Sequence, residues 1–156
     1  MEVKTSRGVA GFEMFPFLLI PVLIYNILAW GAAPPPPGVT EPTLVSIMHS
    51  EALALPMLSG ASLALSWGDL LLLLAIACLL AEVIKATRTT APAIINHMLS
   101  LGVFVLALVE FLLLPSFASS TFFLLTMIAL LDAMAGMVVT IISARRDFDV
   151  GGVAGG

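Results

Sequence analysis

Along this chain, long unbroken runs of apolar residues alternate with short polar breaks, and four of the runs are long enough to cross a hydrocarbon layer. Such a layer is about 30 Å thick and needs roughly 20 residues of helix. The runs extend from about Phe12 to Trp30, Trp67 to Ala86, Pro92 to Leu114 and Thr121 to Ala144. Pro92 suits the first turn of its helix and Pro115 ends the same helix. Ser119 or Ser120 is placed to cap the fourth span. The pattern predicts an all-α transmembrane fold, a four-helix membrane bundle forming a single integral domain over residues 1–156.

The outer segment, 31–66, breaks the pattern. Pro34 to Pro37 form a stiff polyproline stretch. In "LALPMLSGASLALSW", two apolar-rich runs flank Ser59-Gly60, which predicts a small extracytoplasmic β-hairpin with Gly60 supplying a positive φ. Pro56 confines its strand to an edge. A second reading is an amphipathic segment over 43–55, with Leu44, Ile47, Met48, Ala52 and Leu55 on the membrane surface and Ser46, His49 and Ser50 facing water. The two readings are compatible. The glycine-rich end, 150–156, reads as a disordered tail.

Composition agrees with this threading. Of the 156 residues 60% are hydrophobic and only 10% charged, and the mean hydropathy is +1.14, far from the about 25% charged residues of soluble domains. Membrane lipid is the implied surrounding. The six basic residues lie in three pairs: Lys4 and Arg7, Lys85 and Arg88, Arg145 and Arg146. All fall on one side of a four-span scheme, so both termini are expected in the cytoplasm. Scattered pairs and a net charge of −4 give no basic face for nucleic acid. Cleavage of the first span as a signal peptide after Ala29-Trp30-Gly31 is a competing reading, opposed by Glu13, Pro16 and Pro21. If the span is retained, Pro21 is expected to bend it.

The candidate chemistry lies in a few intramembrane polar residues. Ala129, Asp132, Ala133, Gly136, Thr140 and Ser143 recur at spacings of three and four, a narrow face that turns Asp132 toward protein. Asp132 falls about 16 Å below the outer end of its helix. The third span carries Asn96, Ser100, Ala107 and Glu110 on one stripe with His97 beside it, Glu110 lying roughly 6 to 10 Å nearer the outer surface than Asp132. The second span aligns Ala75, Cys78, Glu82 and Lys85, and the last two are spaced for an intrahelical ion pair near the cytoplasmic end, where charge is cheap. One reading strings Glu110, Asp132 and then His97 or Glu82 into a proton or cation ladder with gaps near 8 Å, to be bridged by water. The other makes each group a hydrogen-bonded tie between helices.

No metal-ligand set, catalytic triad or cofactor-binding motif is legible. His49 and His97 fall on opposite sides of the membrane, and Cys78 is the sole cysteine. Tyr25, Trp30 and Trp67 suit an interfacial belt. From Leu53 to Phe148 the motifs "SGASLALSWGDLLLLL", "EVIKATR", "INHMLSLGVFVLALVEFLLLP" and "FFLLTMIALLDAMAGMVVTIISARRDF" resemble an uncharacterised family of small four-span bacterial inner-membrane proteins. That resemblance implies a bacterial plasma-membrane location and a four-helix arrangement, and transfers no catalytic residue or substrate. Small multidrug exporters differ: they are shorter and carry an essential carboxylate inside the first span, whereas Glu13 sits at the cytoplasmic edge. The expectation is therefore a non-enzymatic accessory or scaffold subunit, in a homo-oligomer or a larger membrane assembly. Its rival is a small proton-coupled transporter or ion conductor using Asp132 and Glu110.

Overall fold

The computed structural model describes residues 14–86 and 91–153, with side chains omitted at 91–94, 139–140 and 142–153. Lys4, Arg7, Glu13 and Arg88 lie outside the described residues, as do the side chains of Thr140, Ser143, Arg145 and Arg146. In chain order the elements are α1 (Leu19–Gly31), α2 (Thr43–His49), β1 (Glu51–Pro56), β2 (Ser62–Ser66), α3 (Trp67–Ala86), α4 (Ala91–Leu113), a 3-10 turn (Pro115–Phe117) and α5 (Ser120–Val153). Three of the helical stretches are long and apolar enough to cross a membrane: Trp67–Ala86, Ile95–Leu113 and Ser120–Val138. The fold is mostly helical, with the small hairpin between α2 and α3.

Chain direction follows from three contacts. Gly68, at the head of α3, meets the Thr121 side chain at the head of α5, so these two helices run parallel. Phe111, near the end of α4, stacks on Phe123 with ring centroids 5.5 Å apart, and His97, near the start of α4, covers Gly136. α4 is therefore antiparallel to both. Lys85 and the backbone at Arg145 accordingly lie toward one end of the bundle, which is referred to below as the inner end. Of the stripes expected from spacing, Ala75, Glu82 and Lys85 on α3, Asn96, Ser100 and Ala107 on α4, and Ala129, Asp132, Ala133 and Gly136 on α5 are buried, joined by Val103 and Leu125, whereas Cys78 and Glu110 are only half-buried. Both helix caps follow local chemistry. Ser66 and Asp69 cap α3 reciprocally, Asp69 N–H donating to Ser66 Oγ at 3.1 Å and Ser66 N–H to Asp69 Oδ2 at 2.8 Å. Ser119 accepts the Phe122 N–H at 3.1 Å to start α5.

Four expectations need correction. The first apolar run is not one helix from Phe12: α1 begins only at Leu19 and has 13 residues, about 20 Å of rise, too short to cross a bilayer as helix alone. Pro16 keeps the preceding backbone out of the helix, and Pro21 sits in the first turn of α1, where no N–H is needed, so it starts the helix instead of bending it. At the other terminus α5 continues past Ala144 to Val153, taking residues 150–153 into helix where a disordered tail was expected, because no proline interrupts it after Pro115.

The third correction concerns 43–55. Helix and hairpin follow one another, since Ser50 turns extended and its hydroxyl donates to the Ile47 carbonyl at 2.7 Å, closing α2. Leu44, Val45 and Met48 bury themselves within the protein while Ile47 is exposed, so the apolar face of α2 covers the bundle and not the lipid. The fourth is Tyr25, expected in an interfacial belt. It is fully buried between Phe117 and Phe122, with centroids 5.4 and 4.6 Å away, and its hydroxyl donates to the Ser116 carbonyl and meets Ser119 Oγ at 2.8 Å. Trp30 and Trp67, the other two residues expected there, are exposed.

Candidate functional site: a buried polar cluster at the inner end

The stripes of α3, α4 and α5 converge on a cluster of ionisable and amide side chains. Glu82 and Lys85, one turn apart on α3, form an ion pair at 3.0 Å. Both are buried within the protein: Glu82 is 1% and Lys85 8% exposed. Two buried charges survive only when every remaining donor and acceptor is used, and here they are. The Lys85 ammonium donates to Glu82 Oε1 at 3.0 Å, Asn96 Oδ1 at 3.0 Å and the Phe15 carbonyl at 2.6 Å, and stands 4.3 Å above the Phe17 ring. Glu82 Oε2 accepts from Asn96 Nδ2 at 2.9 Å, and Oε1 also takes the Phe17 N–H. Three chain segments are tied by one closed set of bonds. Asn96, and not His97, is the α4 residue that reaches Glu82.

Asp132 lies beside this cluster on α5, 5% exposed, and its electrostatic neighbours are Glu82, His97 and Lys85. Ser100 faces it from α4, yet Asp132 Oδ2 and Ser100 Oγ are both buried without a hydrogen-bond partner. Lys85 is already balanced by Glu82. Asp132 is thus the surplus acid of the cluster. The half-buried His97 ring rests on Gly136, where a Cβ would collide with it, so the glycine on the small-residue face makes room for an imidazole.

Glu110 does not belong to this group. Ten residues separate it from Ser100, about 15 Å along α4, so it stands well beyond the 6 to 10 Å expected above Asp132. Counting each residue from its own helix end gives the shorter distance; the Ser100–Asp132 and His97–Gly136 contacts set the register between the helices. Between the two levels lie buried Val103 and Ala107 on α4, Leu71 and Ala75 on α3, and Leu125 and Ala129 on α5. The Thr126 hydroxyl at this depth is spent on the Phe122 carbonyl at 2.8 Å. Glu110 instead accepts from Asn26 Nδ2 at 3.0 Å, and Asn26 Oδ1 receives the Trp30 indole N–H at 3.4 Å. Spacing alone had not singled out Asn26, although an amide inside an apolar run is a signal of the same kind as Asp132.

On the outer side His49 is exposed, 3.3 Å from Ser120 Oγ and 4.0 Å from Glu41. Among the described residues no three His, Cys, Asp or Glu side chains are grouped to hold a metal ion. Comparison with protein-family models, curated proteins and solved structures gave no match.

Proposed function

We propose that this is a non-enzymatic, four-pass protein of a bacterial inner membrane, with both termini cytoplasmic, acting as a structural or accessory subunit of a membrane assembly. The observation that carries the reading is the closed Glu82–Lys85–Asn96 network, cut off from Glu110 by an apolar layer. A relay needs groups that can let go of one another and a path between them. Here Glu82, Lys85 and Asn96 saturate one another, and about 15 Å of Val, Ala and Leu separates their level from Glu110. The polar residues act as ties. The fourth pass is supplied by the segment from Phe15 to Gly31: Phe17 N–H reaches Glu82 at the inner level and Tyr25 reaches Ser119 at the head of α5. Its 13 helical residues are preceded by a turn at 16–18, and the two together reach from the inner level to the head of α5.

The competing reading, a proton-coupled transporter using Asp132, draws on its unpartnered Oδ2. Replacing Asp132 by Asn and by Leu separates the two. A structural tie tolerates Asn and loses stability or association with Leu; a carrier loses proton flux in liposomes with Asn while remaining folded. Topology is read independently with cysteines introduced at Ala118 and Thr89 in a Cys78→Ala background. An impermeant thiol reagent applied outside should label the first and reach the second only after the membrane is opened.

A further inference from the structure

The hairpin has two chemically different faces. In its register Leu53 pairs with Leu65 and Leu55 with Leu63, while Ala54 pairs with Ala64 and Pro56 with Ser62. Directly opposed residues share a face and successive residues alternate, so all four leucines lie on one side and the small residues on the other. Leu53, Leu55 and Leu63 are each more than 40% exposed. At the tip, Gly60, at φ +82, closes a turn in which its N–H donates to the Met57 carbonyl at 3.0 Å, and Leu58 projects fully into the surroundings. A two-stranded sheet with an uncovered leucine face is marginal in water.

Where the hairpin stands decides what covers it. β2 ends at Ser66 and α3 begins at Trp67 with no linker, and the Trp67 N–H donates to the Ser50 carbonyl at 3.2 Å, pinning the hairpin base to the helix head. β2 therefore runs straight into α3, which carries exposed Leu73, Ile76 and Leu80, with exposed Trp67 at the junction. No lysine or arginine occurs in 31–66, and the only charge in the strands, Glu51, is at the base. Nothing on the hairpin recruits a phosphate headgroup or an acidic surface.

We infer that the β1–β2 hairpin lies on the outer leaflet of the protein's own membrane, with its four leucines and the Leu58 tip in the acyl region and its Ala–Ser face toward water. This rests on the membrane reading above and adds a second kind of lipid contact, in the plane of the surface.

The test uses the full chain in lipid nanodiscs of phosphatidylethanolamine and phosphatidylglycerol, one copy per disc, in the Cys78→Ala background. An environment-sensitive fluorophore is attached at Leu63→Cys, Leu55→Cys or Ala64→Cys. Probes at 55 and 63 should be quenched by lipids carrying a spin label high on the acyl chain, whereas iodide should quench the probe at 64 at least about threefold more strongly than the probe at 63, as the alternation of faces requires. Equal iodide access at all three positions, without quenching from the lipid, overturns the proposal. So does protection of positions 55 and 63 that appears only in discs loaded with two copies, which assigns the face to a second chain. The Ala118 and Thr89 labelling does not depend on the hairpin, so failure of this inference and failure of the membrane topology are told apart.

Discussion

Replacing Lys85 by Met tests whether the inner cluster holds the bundle together. The change keeps the length and apolar stem of the side chain and deletes the ammonium. It removes three hydrogen bonds, leaving the Phe15 carbonyl and Asn96 Oδ1 without donors and the Glu82 carboxylate with only the Phe17 N–H and Asn96 Nδ2. Stranding one member of a buried pair costs about 3–5 kcal/mol, whereas an exposed pair is worth 0 to about 1 kcal/mol. With Glu82 1% and Lys85 8% exposed, the larger figure applies. Glu82→Leu alone should cost a similar amount, because it strands the ammonium. The double variant removes both charges and leaves only neutral groups unpaired, so its loss should fall short of the sum of the singles by at least about 2 kcal/mol. Unfolding by SDS in mixed micelles, read by far-UV circular dichroism, gives all three values. Additive losses, or a Lys85→Met cost below about 1 kcal/mol, would refute a buried, interlocked pair.

Gly136→Ala should destabilise by about 1–3 kcal/mol, since the new methyl meets the His97 ring, and His97→Ala should recover most of that loss in the Gly136→Ala background. Thermal stability by fluorescence-detected gel filtration compares the four proteins. Tyr25→Phe removes the hydrogen bonds to the Ser116 carbonyl and Ser119 without changing the ring packing, and is expected to cost about 1–2 kcal/mol in the same SDS titration; no change would mean the hydroxyl is already hydrated. Asp69→Ala deletes the reciprocal cap of α3, with an expected loss of about 1 kcal/mol and faster amide exchange confined to Ser66 and the first turn.

Helix period made the buried stripes legible before any coordinates. Glu82 and Lys85 on α3, Asn96 and Ser100 on α4, and Asp132 with Gly136 on α5 all face the interior at the spacings read from the chain. Register between helices was not legible, because spacing locates a residue along its own axis and says nothing about how far a neighbour has slid. That is why Glu110 looked one step from Asp132 and stands about 15 Å away. Backbone partners were equally silent. Phe15 and Phe17 enter the cluster through a carbonyl and an N–H, groups every residue owns. The one local signal was Pro16, which keeps Phe15 and Phe17 out of helix and frees those groups to seek partners.

That exchange explains why a chain so sparing with charge keeps a lysine and a glutamate inside. Four helices of full length would satisfy their own backbones and need no buried ions. Here the first segment enters through a turn at 16–18, and its Phe15 carbonyl and Phe17 N–H, which stand outside the helix ladder of α1, are met by side chains within the protein. An ammonium answers the carbonyl and a carboxylate answers the N–H; each charge then neutralises the other, and Asn96 takes up the remaining oxygen of Glu82 together with a Lys85 proton. By this logic the pair exists because α1 starts late. Asp132, whose Oδ2 receives no hydrogen bond from the pair or from Asn96, is outside that logic, so the aspartate is where a role beyond structure is to be sought.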